Sequence, residues 1–128
     1  MDKSATGKLG EDLACEYLVD KGYKILKRNY RRPWGELDIV ARAKNNVLVF
    51  VEVKALSENP AGGLSPEDHL TVSKLRKLQR TCMALVGEKP EWVIGDRGWQ
   101  IDLIAINIPV GADNPNLKNC EIRHYENI

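Results

Sequence analysis

One stretch of this chain carries residues of the types and spacing that metal-assisted hydrolysis uses. In GELDIVARAKNNVLVFVEVK, Gly35 to Lys54, acids interrupt two apolar, strand-like runs. Glu36 and Asp38 lie in the first run, and Glu52, followed two residues on by Lys54, in the second. Two carboxylates on adjacent strands suit a hard dication such as Mg2+ or Mn2+, which takes oxygen ligands and leaves the remaining positions to water and phosphate. The main-chain carbonyl of Val53, next to Glu52, is placed to be a third ligand. An ion held there lowers the pKa of a bound water and stabilises charge building on a phosphate. Lys54 falls on the same strand face as Glu52, where its ammonium can orient the water or neutralise the transition state. The ordinary alternative is a same-face ion pair between Glu52 and Lys54, with Asp38 exposed at a strand end. A Glu-x-Lys triplet by itself favours that alternative. Asp38, fourteen residues before Glu52 across a turn, shifts the balance toward chemistry. Glu36, beside the Pro33-Trp34-Gly35 break, is read as a bystander.

The two runs must form a hairpin for this to hold. Side chains alternate along a strand, which puts Glu36, Asp38 and Val40 on one face of the first and Leu37, Ile39 and Ala41 on the other. In the second, Leu48, Phe50, Glu52 and Lys54 share a face and valines fill the other. A turn at AKNN centred on Asn45 sets Asp38 directly opposite Glu52, and a slip of one residue would separate them. Like charges across a ladder destabilise it unless something positive lies between them.

The flanking elements are helices and further strands. Leu9, Leu13 and Tyr17, with Gly10, Ala14 and Leu18 beside them, predict a helix from about Ser4 to Lys21, capped at Ser4 or Thr6 and stopped at Gly22. YKILKRNYRR is extended. SENPAGGLSPEDH is a loop rich in Pro, Gly and polar residues, a candidate substrate-facing segment. Leu75, Leu78, Cys82, Leu85 and Val86 form the apolar stripe of a second helix, about Thr71 to Val86. WQIDLIAINI and CEIRHYENI supply later strands. The order predicts an α/β fold in one domain, residues 1–128, with a mixed central sheet of four to five strands flanked by helices.

Composition limits the function classes. The 128 residues are 43% hydrophobic and 29% charged, in the globular range. No apolar run approaches the roughly 20 residues of a membrane helix, and the first residues lack a signal-peptide core. The three cysteines, Cys15, Cys82 and Cys120, form no CxxC pair, and they read as reduced thiols of a cytoplasmic protein. Net charge is only +1, yet Lys24, Lys27, Arg28, Arg31 and Arg32 crowd into nine residues, and Lys74, Arg76, Lys77 and Arg80 into seven. Either run alone reads equally as an ordinary solvated face; two of them beside the acidic stretch shift the reading toward phosphate contact, with Arg28, Arg31, Lys74 and Lys77 as the candidate nucleic-acid contacts. His69 and His124 lack metal-ligand spacing and receive no role. Trp34, Trp92 and Trp99 can stack on bases, although core or cover is the commoner use.

Asp, a hairpin, then Glu-x-Lys resembles the PD-(D/E)xK nuclease core of restriction enzymes and archaeal Holliday-junction resolvases. More closely, GKLGEDLACEYLVDKGYKILKRNYR, GELDIVA, VFVEVK, LTVSKLRKLQR, IDLIAI and IRHYENI resemble, block by block and nearly end to end, uncharacterised protein family 0102. The resemblance implies a restriction-endonuclease-like core, with Asp38 and Glu52 as metal acids and Lys54 as the catalytic lysine. It adds Glu11 as a helical acid joining the site and Lys74 as a basic position of the second helix. It further implies cleavage of DNA, branched or otherwise structured, by a homodimer using Mg2+ or Mn2+. The family has no settled activity, so a catalytically silent nucleic-acid-binding or adaptor protein is the alternative. One departure is KALSEN, which puts Leu56 where family members often carry Arg, and removes a phosphate contact there.

Overall fold

The computed structural model describes residues 3–57, 65–111 and 113–128, so most of the SENPAGGLSPEDH loop lies outside the described residues. Helix α1 (Lys3–Asp20) buries Leu13, Ala14 and Leu18, the side that the apolar spacing predicts. It starts earlier than its cap pattern suggests, with Ser4 and Thr6 both inside it. Gly22 ends the helix at φ +91°, and the Tyr23 N–H reaches back to the Leu18 carbonyl at 2.9 Å. That closure needs a left-handed residue, which glycine adopts without strain.

Strands β1 (Lys24–Arg32), β2 (Gly35–Arg42), β3 (Leu48–Ser57), β4 (Trp99–Ile108) and β5 (Glu121–Tyr125) form one five-stranded sheet in chain order. Every neighbouring pair is antiparallel except β3–β4, which is parallel. A parallel pair needs a crossover, and α2 (Val72–Glu88) lies in it, its first turn capped by Thr71 Oγ1 accepting the Lys74 N–H at 3.2 Å. The architecture is thus α/β with a mixed sheet, as expected.

The sheet is covered on both faces. Against α1 lie Ile39, Ala41, Val49, Val51, Ile104 and Ile106. Against α2 lie Leu37, Val40, Leu48, Phe50 and Ile101, with Leu78, Cys82 and Leu85 of the helix. Four consecutive residues of β3, Leu48 to Val51, are buried because both its faces are covered. Phe50 meets Trp99 edge-on at 5.5 Å between ring centres, and burying a side chain of that size is worth about 2–3 kcal/mol.

The β2–β3 register pairs Arg42 with Leu48 and Ile39 with Val51, as a turn centred on Asn45 requires. The alternation along β2 differs from expectation in one place. Leu37 packs toward α2 with Val40, while Ile39 and Ala41 pack toward α1. The change of face falls at Asp38, opposite Asn29 of β1, which takes φ +50° between the pairs Arg28–Ile39 and Tyr30–Leu37. Among the described residues no helix is long and apolar enough to cross a membrane.

Candidate metal and nucleic-acid site

Asp38 and Glu52 stand one step beyond the last regular β2–β3 pair, Ile39 with Val51. There the ladder gives way to a side chain: the Val53 N–H donates to Asp38 Oδ2 at 2.8 Å. In a strand, the N–H and C=O of one residue point toward the same neighbour, so the Val53 carbonyl faces the Asp38 side. Glu52 is largely buried, and burial, reinforced by the charge of Asp38 and by a hydrogen bond to it, pushes its carboxyl up to about 8. The opposing pull comes from Lys54, whose Nζ lies 3.6 Å from Glu52 Oε1. Two carboxylates in contact with one lysine between water and core form an acid-rich site that a dication would relieve. The donor set therefore fits a hard cation: two carboxylates and a main-chain carbonyl on adjacent strands.

Two cavities meet this pair. One, of about 420 Å3 beside α1, is lined by Glu11, Arg28, Arg31, Asp38 and Val53 among others. The other, of about 480 Å3 beside α2, is lined by Glu52, Lys54, Lys74 and Lys77, with Trp34 and Arg31 at its wall. Arg31 lines both.

The structure distributes the remaining sequence candidates unevenly. Glu11 is buried and faces the Asp38 cavity, but its Oε1 takes the Arg28 Nε–H at 3.1 Å. Burial pushes the Glu11 carboxyl up, against the lowering effect of Arg28. Arg28 also donates from Nη2 to Asp12 at 2.5 Å, so the Nε–Nη2 edge of its guanidinium is held by acids of α1. Arg31 is exposed and sits 3.5 Å from Glu36. Lys74 donates to the His69 carbonyl at 3.0 Å, and Lys77 has no acidic partner among the described residues.

Sequence reasoning missed a second cluster. His124, given no role, places Nε2 2.7 Å from Asp102 Oδ2, and Nδ1 3.2 Å from the Tyr17 hydroxyl. Ligand atoms of Asp102, His124 and Glu126 lie within 4.8 Å of one another. The available signal was an acid inside the apolar strand WQIDLIAINI, which needs a partner somewhere in the fold.

A model of the family described as "Uncharacterised protein family UPF0102" matches residues 10–106. This chain belongs to that family. A UPF0102 protein of Sulfurihydrogenibium sp. (strain YO3AOP1) is 37% identical over 128 residues, covering 99% of this chain and 96% of the relative. The sequence blocks that resembled the family thus identify its membership. Among solved structures, EndoMS in complex with dsDNA aligns with TM-score 0.42 and 16% identity, over 72% of this chain and 34% of that one. Pyrococcus furiosus SfsA in complex with Ca2+ aligns with TM-score 0.38 and 18% identity, over 98% and 64%. Both are distant likenesses for a UPF0102 chain.

Proposed function

We propose that this UPF0102 protein is a Mg2+- or Mn2+-dependent endonuclease that hydrolyses phosphodiester bonds of DNA, with branched or otherwise structured DNA as the expected substrate. The observation that carries the reading is the contact of two carboxylates, Asp38 and Glu52, beside Lys54, with Glu52 pushed up to about 8 where the strand ladder ends. Two carboxyls held in contact, one of them largely buried, are a standing cost to the fold once both ionise, unless a cation is used there. Asp38, Glu52 and the Val53 carbonyl would hold the ion, which supplies an activated water and charge neutralisation at phosphorus. Lys54 holds its ammonium at the same opening, where it can hydrogen-bond the attacking water or a phosphate oxygen. Glu11 supports the α1 side by fixing Arg28, and Arg31, Lys74 and Lys77 meet the sugar-phosphate chain. A homodimer would place two such sites on two strands.

The test is incubation with linear duplex, single strand, flap and four-way junction DNA in Mg2+ and in Mn2+. Cleavage by the wild type is expected to fall by at least about 100-fold in Glu52→Ala and Lys54→Ala. Calorimetry is expected to show Mn2+ binding that Asp38→Ala and Glu52→Ala abolish. Cleavage that persists in both Glu52→Ala and Lys54→Ala would sink the assignment. Binding of DNA with no cleavage of any substrate would favour the adaptor reading instead.

A further inference from the structure

The cavity beside α2 holds more than a phosphate at a metal site requires. Its wall combines five cations, Arg31, Arg32, Lys54, Lys74 and Lys77, with the indole of Trp34. The other two tryptophans are committed to packing, Trp92 edge-on to Tyr30 at 5.8 Å and Trp99 edge-on to Phe50 at 5.5 Å. Trp34 has no ring or side-chain hydrogen-bond partner among the described residues and is 40% exposed.

The turn that carries it is nevertheless anchored. A Cβ on the adjacent Gly35 would come within 2.5 Å of Thr81 Oγ1, so the β1–β2 turn lies directly on α2. An exposed indole on an anchored turn offers its face for stacking at a fixed place on the cavity wall. The charges around it are divided. Arg31, Arg32 and Lys54 are paired with Glu36, Glu88 and Glu52, whereas Lys74 and Lys77 have no acidic partner among the described residues. Ammonium groups without an acidic partner suit phosphates, and an unpartnered indole suits the face of a base. Duplex DNA offers the phosphates but keeps its base faces inside the stack, while a single strand offers both.

We infer that Trp34 is a stacking platform for an unpaired base, and that the substrate preferred by this site carries single-stranded DNA beside the phosphate to be cut. The inference rests on the nuclease reading, since Glu52 and Lys54 line the same cavity. It assigns specificity to a residue outside the metal-binding set.

The experiment measures fluorescence anisotropy of labelled oligothymidylate and of a blunt duplex of equal length, in EDTA so that nothing is cleaved. Trp34→Ala weakens single-strand binding about tenfold, Trp34→Phe keeps most of it, and duplex binding is unchanged in both. Intrinsic fluorescence gives a second readout: oligothymidylate quenches the wild type, and the quench is lost in Trp34→Phe although the strand is still bound. No loss in Trp34→Ala, or equal losses on single strand and duplex, overturns the inference. Trp34-dependent single-strand binding without metal-dependent cleavage overturns the nuclease reading and leaves the platform standing. Metal-dependent cleavage that is indifferent to Trp34→Ala does the reverse.

Discussion

Asp102 and Glu52 sit on neighbouring strands, one register step apart, and show opposite ways of burying an acid. Asp102 is 0% exposed, and both its oxygens are filled. Oδ1 accepts from Gln100 Nε2 at 2.9 Å and from the Asn127 N–H at 3.0 Å, and Oδ2 meets His124 at 2.7 Å. His124 in turn is edge-on to Tyr17, which ties β5 to α1. Every polar atom there has a partner, and the result is a clasp for the C-terminal segment. Glu52 has another carboxylate and a single lysine, and its proton is held accordingly. Asp102 and His124 spend their polar atoms on each other and on neighbouring groups, whereas Asp38 and Glu52 face each other with Lys54 and the Val53 N–H as their partners.

The contrast breaks first at Asp102. Replacing it by Ala orphans Gln100, the Asn127 N–H and His124, and a loss of about 3–5 kcal/mol is expected in urea unfolding. Mn2+ binding at Asp38 and Glu52 should survive in the folded fraction; a loss under about 1 kcal/mol would mean that the clasp is not structural.

Glu52→Gln probes the other acid, and the sign is opposite. A carboxyl raised from 4.5 to about 8 in the fold destabilises the metal-free protein progressively as pH rises through that window. Above about pH 8 the Gln variant should be the more stable by about 1–3 kcal/mol. Added Mn2+ should stabilise only the wild type. Parallel stability–pH curves for the two proteins would refute the unsatisfied pair.

The smallest effect concerns Glu67, whose carboxyl is held down at about 2, first by Arg123 and also by the Tyr125 hydroxyl at 2.7 Å. This depressed acid contributes stability that is present above about pH 4.5 and lost as pH falls toward 2. Arg123→Gln should cost about 1–2 kcal/mol near neutrality, a difference that shrinks on acidification. A gap that stays constant down to low pH would show that packing of Arg123, not its charge, matters there.

The Asp38–Glu52 juxtaposition was legible because a short turn fixes its own register, and the register fixes the opposing residues. Three features were hidden for the converse reason. Asp102 finds His124 on a strand 22 residues later, after a polar loop, and a lone histidine carries no local spacing to betray its partner. Leu37 turns toward α2 out of the alternation of its own strand, which periodicity alone does not show. Glu11 and Arg28 meet only because α1 lies against β1, so a candidate phosphate contact turned out to be held by acids. Periodicity reports an element's own faces; it does not report which distant side chain arrives at them.

The one parallel pair in the sheet also divides the chain by folding entropy. Leu48 is six residues beyond its β2 partner Arg42 but fifty-one before its β4 partner Trp99. Closing the longer loop costs about 2 kcal/mol more than closing the shorter. Asp38 and Glu52 belong to the part that is cheap to close, and β4, with the Asp102 clasp, to the part that is expensive. The two acids can therefore meet while β4 is still unpaired, so the cost of bringing their carboxyls together falls on the local beginnings of folding rather than on the long closure.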